Sequence, residues 1–249
     1  MTSDSLRVRL IEKFKYAYTL EEKAKSKNIR VNEPYQGERI GQFIVMSPSK
    51  YWYLDSLIPE FNKTPDSKAS MEDFSFVKLI KEAVQYIIEE TMNKETLKED
   101  GSTSPDNESS VILYANIDNY GILLTGDAGI QALNKTHEYA ISQGIILEDT
   151  IKFIQIPHHG SRNNVSPSIL NKIIGNIGKQ QNKTAFVSAG KDSTKHPRRV
   201  VVNAFIRRGC RVISTKGSIK RHYSFDMPNR EGWIAATSME FSNKVEKYD

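Results

Sequence analysis

The strongest constraint on this fold is an alternation. From residue 109 onward, apolar runs of strand length give way repeatedly to stretches with helical spacing. Val111–Ile117 and Tyr120–Thr125 read as two strands around Asp118-Asn119, a tight hairpin turn. A helix is expected at 129–143, a strand at Ile151–Ile156 and a helix at Ser166–Ile174. Ser166-Pro167 suits an N-cap followed by a first helical residue. A strand at Ala185–Ser188, a helix at Pro197–Arg208 and a strand at Arg211–Ser214 continue the pattern. Residues 218–225 and 232–241 read as closing strands. Strands that alternate with helices in this way predict a layered α/β (α+β) architecture.

The first hundred residues read as mostly helical. Leu6, Leu10, Phe14, Ala17, Leu20 and Ala24 mark an amphipathic helix over 5–28. A short strand is expected over Arg39–Met46, stopped by Ser-Pro-Ser at 47–49, which caps a helix through Tyr51–Phe61. Residues 62–72 are loop-like. Phe76, Leu79, Ile80, Ala83, Ile87 and Ile88 form the stripe of a second long helix over 73–96.

Composition limits the function classes. The chain has 249 residues, enough for one large domain. No window approaches the length of a membrane-spanning apolar run, and the N-terminus lacks the apolar core of a signal peptide. Cys210 is the one cysteine, which excludes a disulfide framework and a cysteine-built zinc site. A soluble, cytoplasmic chain without a membrane segment is expected. The net charge of +5 is uneven: residues 1–150 carry 17 Lys+Arg against 24 Asp+Glu, and residues 151–249 carry 18 against 6. The basic half either faces phosphate, as in a nucleic-acid backbone, or pairs with the acidic half inside one fold.

The candidate chemistry sits at the ends of three expected strands. Leu-Leu-Thr-Gly-Asp-Ala at 123–128 presents Asp127, a carboxylate able to bind a divalent metal. The competing reading is a turn residue that caps the next helix. Ile-Pro-His-His-Gly-Ser at 156–161 presents His158 and His159. Neutral imidazole is the commonest metal-binding side chain, and a surface turn with incidental histidines is the alternative. Lys195-His196-Pro197-Arg198-Arg199 opens the next helix. There His196 and Arg198 could meet a phosphoryl group at a helix N-terminus, or form a solvated basic turn. His137 and His222 read as structural. About 32 residues separate Asp127 from His159, one strand–helix–strand crossover, so these strand ends can converge.

Taken together, these motifs resemble a known family. Leu-Leu-Thr-Gly-Asp-Ala (123–128), Ile-Pro-His-His-Gly-Ser (156–161), Ala-Phe-Val-Ser-Ala-Gly (185–190) and His-Pro (196–197) are similar, in order and spacing, to the C-terminal half of metallo-β-lactamase-fold hydrolases. The subgroup they most resemble is the soluble domain of DNA-uptake competence channel proteins. Pro-Tyr-Gln-Gly (34–37) and the Ser-Pro-Ser stretch look like the middle of the same domain. The resemblance implies an αββα sandwich whose strand ends hold one or two zinc ions, and a hydrolase acting on a phosphodiester or another ester. It implies Asp127, His158 and His159 as metal ligands. His196 and Arg198 are implied beside the substrate, where they would stabilise a developing oxyanion.

The family's His-x-His-x-Asp-His motif is absent, since no histidine precedes His137. The expectation is therefore a single domain over 1–249, incomplete at its N-terminal side, with a helical middle segment over 1–100 and a metal-site half over 109–241. Such a chain is a fragment, a split subunit completed by a partner chain that carries the missing half, or an inactive relative. The alternative function is a non-catalytic half-domain binding a partner chain or nucleic acid. An exposed apolar edge is expected near 5–47 and 111–125, where the missing strands would pack.

Overall fold

The computed structural model describes residues 15–63, 87–179, 182–223 and 226–247, together with Val8, Ile11 and Glu12. Most of the helix expected over 73–96 and the beginning of the one over 5–28 lie outside the described residues.

Helix α1 (Lys15–Ser26) buries none of its residues. Strands β1 (Arg39–Ile40) and β2 (Phe43–Ser47) divide the single strand expected at 39–46, turning through Gly41 at φ 61°. Ser49 caps α2 (Lys50–Trp52) by accepting from the Trp52 amide. A π turn (Tyr53–Leu57) carries α2 into α3 (Ile58–Lys63).

The second half follows the expected alternation closely. Helix α4 (Pro105–Glu108) leads into the hairpin β4 (Ile112–Ile117) and β5 (Tyr120–Leu124). Asp118 and Asn119 both have positive φ, as a primed two-residue turn requires. Then come α5 (Ile130–Ser142), α6 (Leu147–Thr150), β6 (Ile151–Gln155), α7 (Pro167–Ile174), β7 (Lys183–Val187), α8 (Arg199–Arg207) and β8 (Cys210–Ser214). Ser166 caps α7 and Pro167 is its first residue, as the sequence indicates.

These strands form a seven-stranded mixed sheet in the order β1-β2-β4-β5-β6-β7-β8. Its first four strands are antiparallel, and β5 to β8 are parallel. Three crossovers in one direction carry α5, α7 and α8, and α7 packs against both α5 and α8 on one face. The register explains the core. Leu123, Ile154, Ala185 and Val212 are aligned neighbours, all buried against Leu133, Ile169, Leu170, Val201 and Phe205. The opposite row is Ile122, Phe153, Thr184 and Arg211, which runs from half-buried to exposed.

Three expectations change. Ile87–Glu89 is not helical but forms β3, paired antiparallel with β9 (Lys244–Glu246). A pair of isoleucines fits either period, and here the tertiary partner decides. The stretches 218–225 and 232–241 form no strands among the described residues. Residues 218–223 and 232–237 lie over the outer face of the sheet, and the Met239 amide donates to Val212 O of the edge strand β8 at 2.8 Å. The hairpin at 111–125 is not an edge, because β2 and β6 flank it. The apolar edge is β1, where Ile40 is exposed.

Glu90 is the buried anchor of the β3–β9 ribbon. Its carboxylate meets Arg207 at 3.2 Å with both side chains fully buried, and it accepts from Asn203 at 2.7 Å and Thr96 at 2.7 Å. Among the described residues, no helix is long and apolar enough to cross a membrane.

Candidate functional site

Adjacent strand ends converge, and backbone hydrogen bonds join them. After β5, Gly126 takes φ 55° and turns the chain. Gln155, at the end of β6, accepts from the amides of Thr125 and Gly126 at 3.1 and 3.2 Å. The His158 amide donates to Gly126 O at 3.1 Å, which joins the β5 and β6 ends. The Arg198 amide donates to Gly160 O at 3.1 Å, which joins the β6 end to the segment before α8. Asn164 is buried and donates to the carbonyls of Asp127 (2.9 Å) and Ala128 (3.2 Å), holding the same turn from behind. Neither Gln155 nor Asn164 stands out in the sequence; each acquires its role only from the tertiary contact.

Asp127 does not cap α5. The residue at that cap is Gly129, and the bond comes from Glu108, whose Oε2 accepts from the Ala132 amide at 2.8 Å. Burial raises the Glu108 pKa, against the lowering effect of the Ala132, Gln131 and Gly129 amides. The Asp127 carboxylate is thereby left out of the helix cap. Its own amide donates to Ser110 Oγ at 3.2 Å.

His158 and His159 occupy a single 3₁₀ turn, His158–Gly160, at φ 45° and 57°. Two successive non-glycine residues in the left-handed region are a local strain of the kind that functional sites store. His159 Nδ1 lies 2.8 Å from Ser188 O, which fixes that ring and leaves Nε2 for another partner. The His158 ring packs edge-on to His159 and to His196, with centroids 5.8 and 6.4 Å away. The Nδ1 atoms of both His158 and His196 are buried with no hydrogen-bond partner.

His196 does not open a helix, contrary to expectation. It lies in the loop before α8, with its amide donating to Ser193 Oγ at 3.0 Å. Burial, then Arg198 and Lys195, lowers its pKa to about 4, so the ring is neutral at pH 7. The helix N-terminus offers no empty anion site, because the Arg199 amide already donates to both Glu246 oxygens at 3.0 Å. Arg198 is thus beside the imidazoles by position, and the helix contributes no phosphate cradle there.

His137 and His222 lie elsewhere. His137 is on α5, where burial, then Lys172, lowers its pKa. His222 packs on Phe153 (4.8 Å) and Phe186 (5.9 Å) across the outer sheet face, and its Nε2 lies 2.9 Å from the Tyr120 hydroxyl.

The donors also set a limit on metal binding. Among the described residues, no group of three His, Cys, Asp or Glu side chains gathers around one point. A structural or catalytic zinc needs at least three such ligands. Asp127, His158, His159 and His196 share one edge without forming a closed ligand set. No family model, curated protein or solved structure matches this chain.

Proposed function

We propose that this edge is part of a metal-dependent hydrolase centre of the metallo-β-lactamase kind, acting on a phosphodiester or ester and completed by donors outside the described residues. The observation that supports it is the pair of buried, unpartnered Nδ1 atoms on His158 and His196, at strand ends that backbone bonds draw together. Unpartnered buried imidazole nitrogens are costly, and a site that uses them accounts for the cost. The zinc in this proposal does not fit the described donors alone, so no chemical step is assigned to it. What the chain's own residues offer is narrower. Ser188 fixes the His159 ring, His196 stays neutral and able to accept a proton, and Arg198 brings positive charge to the same edge.

A partner chain that supplies the missing donors is part of this reading, as is the four-layer αββα arrangement. Leu113, Ile122, Leu124 and Phe153 form a half-buried apolar row on the sheet face opposite the helices. That row also favours the second reading, a non-catalytic half-domain that packs against a partner.

Imidazole NMR during a zinc titration tests the proposal. Zinc is expected to shift the His158, His159 and His196 resonances and to leave His137 unmoved. Resonances at 158, 159 and 196 that ignore millimolar zinc would rule out these imidazoles as this chain's own contribution to a metal centre.

A further inference from the structure

A second site lies on the outer face of the sheet and uses none of the histidine-edge residues. There residues 218–223 and 229–237 lie over β7 and β8 and line a cleft of about 970 Å³. Its floor includes Phe186 and Arg211, and its wall carries Lys220, Arg221, Arg230, Tyr223 and Trp233. Four cationic side chains therefore line one space. No aspartate or glutamate lines it among the described residues. Like charges gathered around a concave surface focus a positive field that is relieved by an anion.

The aromatic rings make the preference more specific. The Arg221 guanidinium lies 4.6 Å from the Tyr223 ring centroid, and that of Arg230 lies 5.1 Å from Trp233. A stacked guanidinium keeps its in-plane N–H donors for phosphate oxygens, and the ring's other side remains available to a planar group. Tyr223 and Trp233 are 47% and 39% exposed, so both retain free surface. Arg211 donates to Ala236 O at 2.6 Å, which fastens the wall to the floor.

We propose that this cleft binds a nucleoside triphosphate, with the phosphates on the arginines and Lys220 and the base against Tyr223 or Trp233. The volume favours a single nucleotide over a strand: about 970 Å³ lies within the range of pockets that hold one small ligand, roughly 300–1,000 Å³, whereas a strand tracks a groove along its length.

Isothermal calorimetry on the full chain tests this, with ATP, GTP, CTP and UTP as probes, EDTA present and low salt. Saturable binding of at least one of the four is expected, weakening as salt rises. The double variant Arg221→Ala/Arg230→Ala is expected to bind at least tenfold more weakly, and Arg221→Lys/Arg230→Lys to recover part of that loss. Circular dichroism checks that the variants fold; Arg221 is half-buried and Arg230 exposed, and neither belongs to a strand or helix. No binding of any of the four nucleotides overturns the proposal, as does binding unchanged in the alanine variant. Inorganic triphosphate bound as tightly as the nucleotide removes the base subsite. A twelve-residue oligothymidylate bound at least tenfold more tightly overturns it in favour of a strand groove.

Discussion

A Cβ built at Gly160 would lie 2.6 Å from Cβ of Pro197 and 3.1 Å from its Cα. Gly160 therefore lets two loops touch, the one carrying His158 and His159 and the one carrying His196. Its φ of 81° is the second reason for glycine at this position. Gly160→Ala is expected to lower stability by about 2 kcal/mol, from backbone strain and a contact that cannot relax without moving Pro197. Urea denaturation measures this. A midpoint equal to that of the parent chain would show that the loops are free to separate.

The neutral state of His196 couples stability to pH. Its folded pKa is depressed to about 4 from an ordinary 6.5, so between these values the unfolded chain binds more protons. Stability from this group is full above about pH 6.5 and falls as the pH drops toward 4. Urea midpoints at pH 7 and pH 5 should differ less in His196→Gln than in the parent chain. Equal pH dependence in both would show that the ring is not held neutral by its surroundings.

Glu90 and Arg207 join the ribbon to α8 through a fully buried ion pair, and Asn203 completes the set. Glu90→Ala removes the only carboxylate paired with Arg207 among the described residues and leaves a buried guanidinium partly uncompensated. A loss of about 3–5 kcal/mol is expected, the range for breaking a buried pair from one side. Arg207 also donates to the carbonyls of Thr91 and Lys94, so these bonds retain part of its solvation. Chemical denaturation of the variant checks the size, and a loss below about 1 kcal/mol would place the pair in water.

Much of this fold was legible because its strands and helices carry their own periods. Ser166-Pro167 starts α7 and Asp118-Asn119 makes the hairpin turn, both by local chemistry alone. The ribbon was not legible, since Lys244-Val245-Glu246 holds one apolar residue and becomes a strand only against Ile87–Glu89. The site divides the same way. The strand-end positions of Asp127, His158 and His159 follow from sequence spacing, whereas the bonds of Gln155 and Asn164 depend on folded neighbours. His196 shows both sides. Its place near the other imidazoles was expected, and so was a helix opened by it, but α8 starts only at Arg199, whose amide donates to Glu246 from the far end of the chain.

Cys210 offers a direct report on this core. It is the chain's one cysteine, 5% exposed at the start of β8. Burial pushes its thiol pKa up to about 12, although Lys183 nearby acts in the opposite direction. Lys183 is itself lowered to about 8, mainly by burial, and its ammonium donates to the Glu148 carbonyl. Thiolate is the reactive species, so the native thiol is both hidden and protonated at pH 8. A disulfide reagent such as dithionitrobenzoate is expected to leave the native chain unlabelled at pH 8 and to release one equivalent of chromophore in urea. Labelling should therefore rise with the same midpoint as the loss of helical signal, because β8 opens only when the parallel half of the sheet unfolds. Rapid labelling of the folded chain would mean instead that β8 frays independently of β7, and that the five-residue parallel ladder between them is weaker than its register indicates.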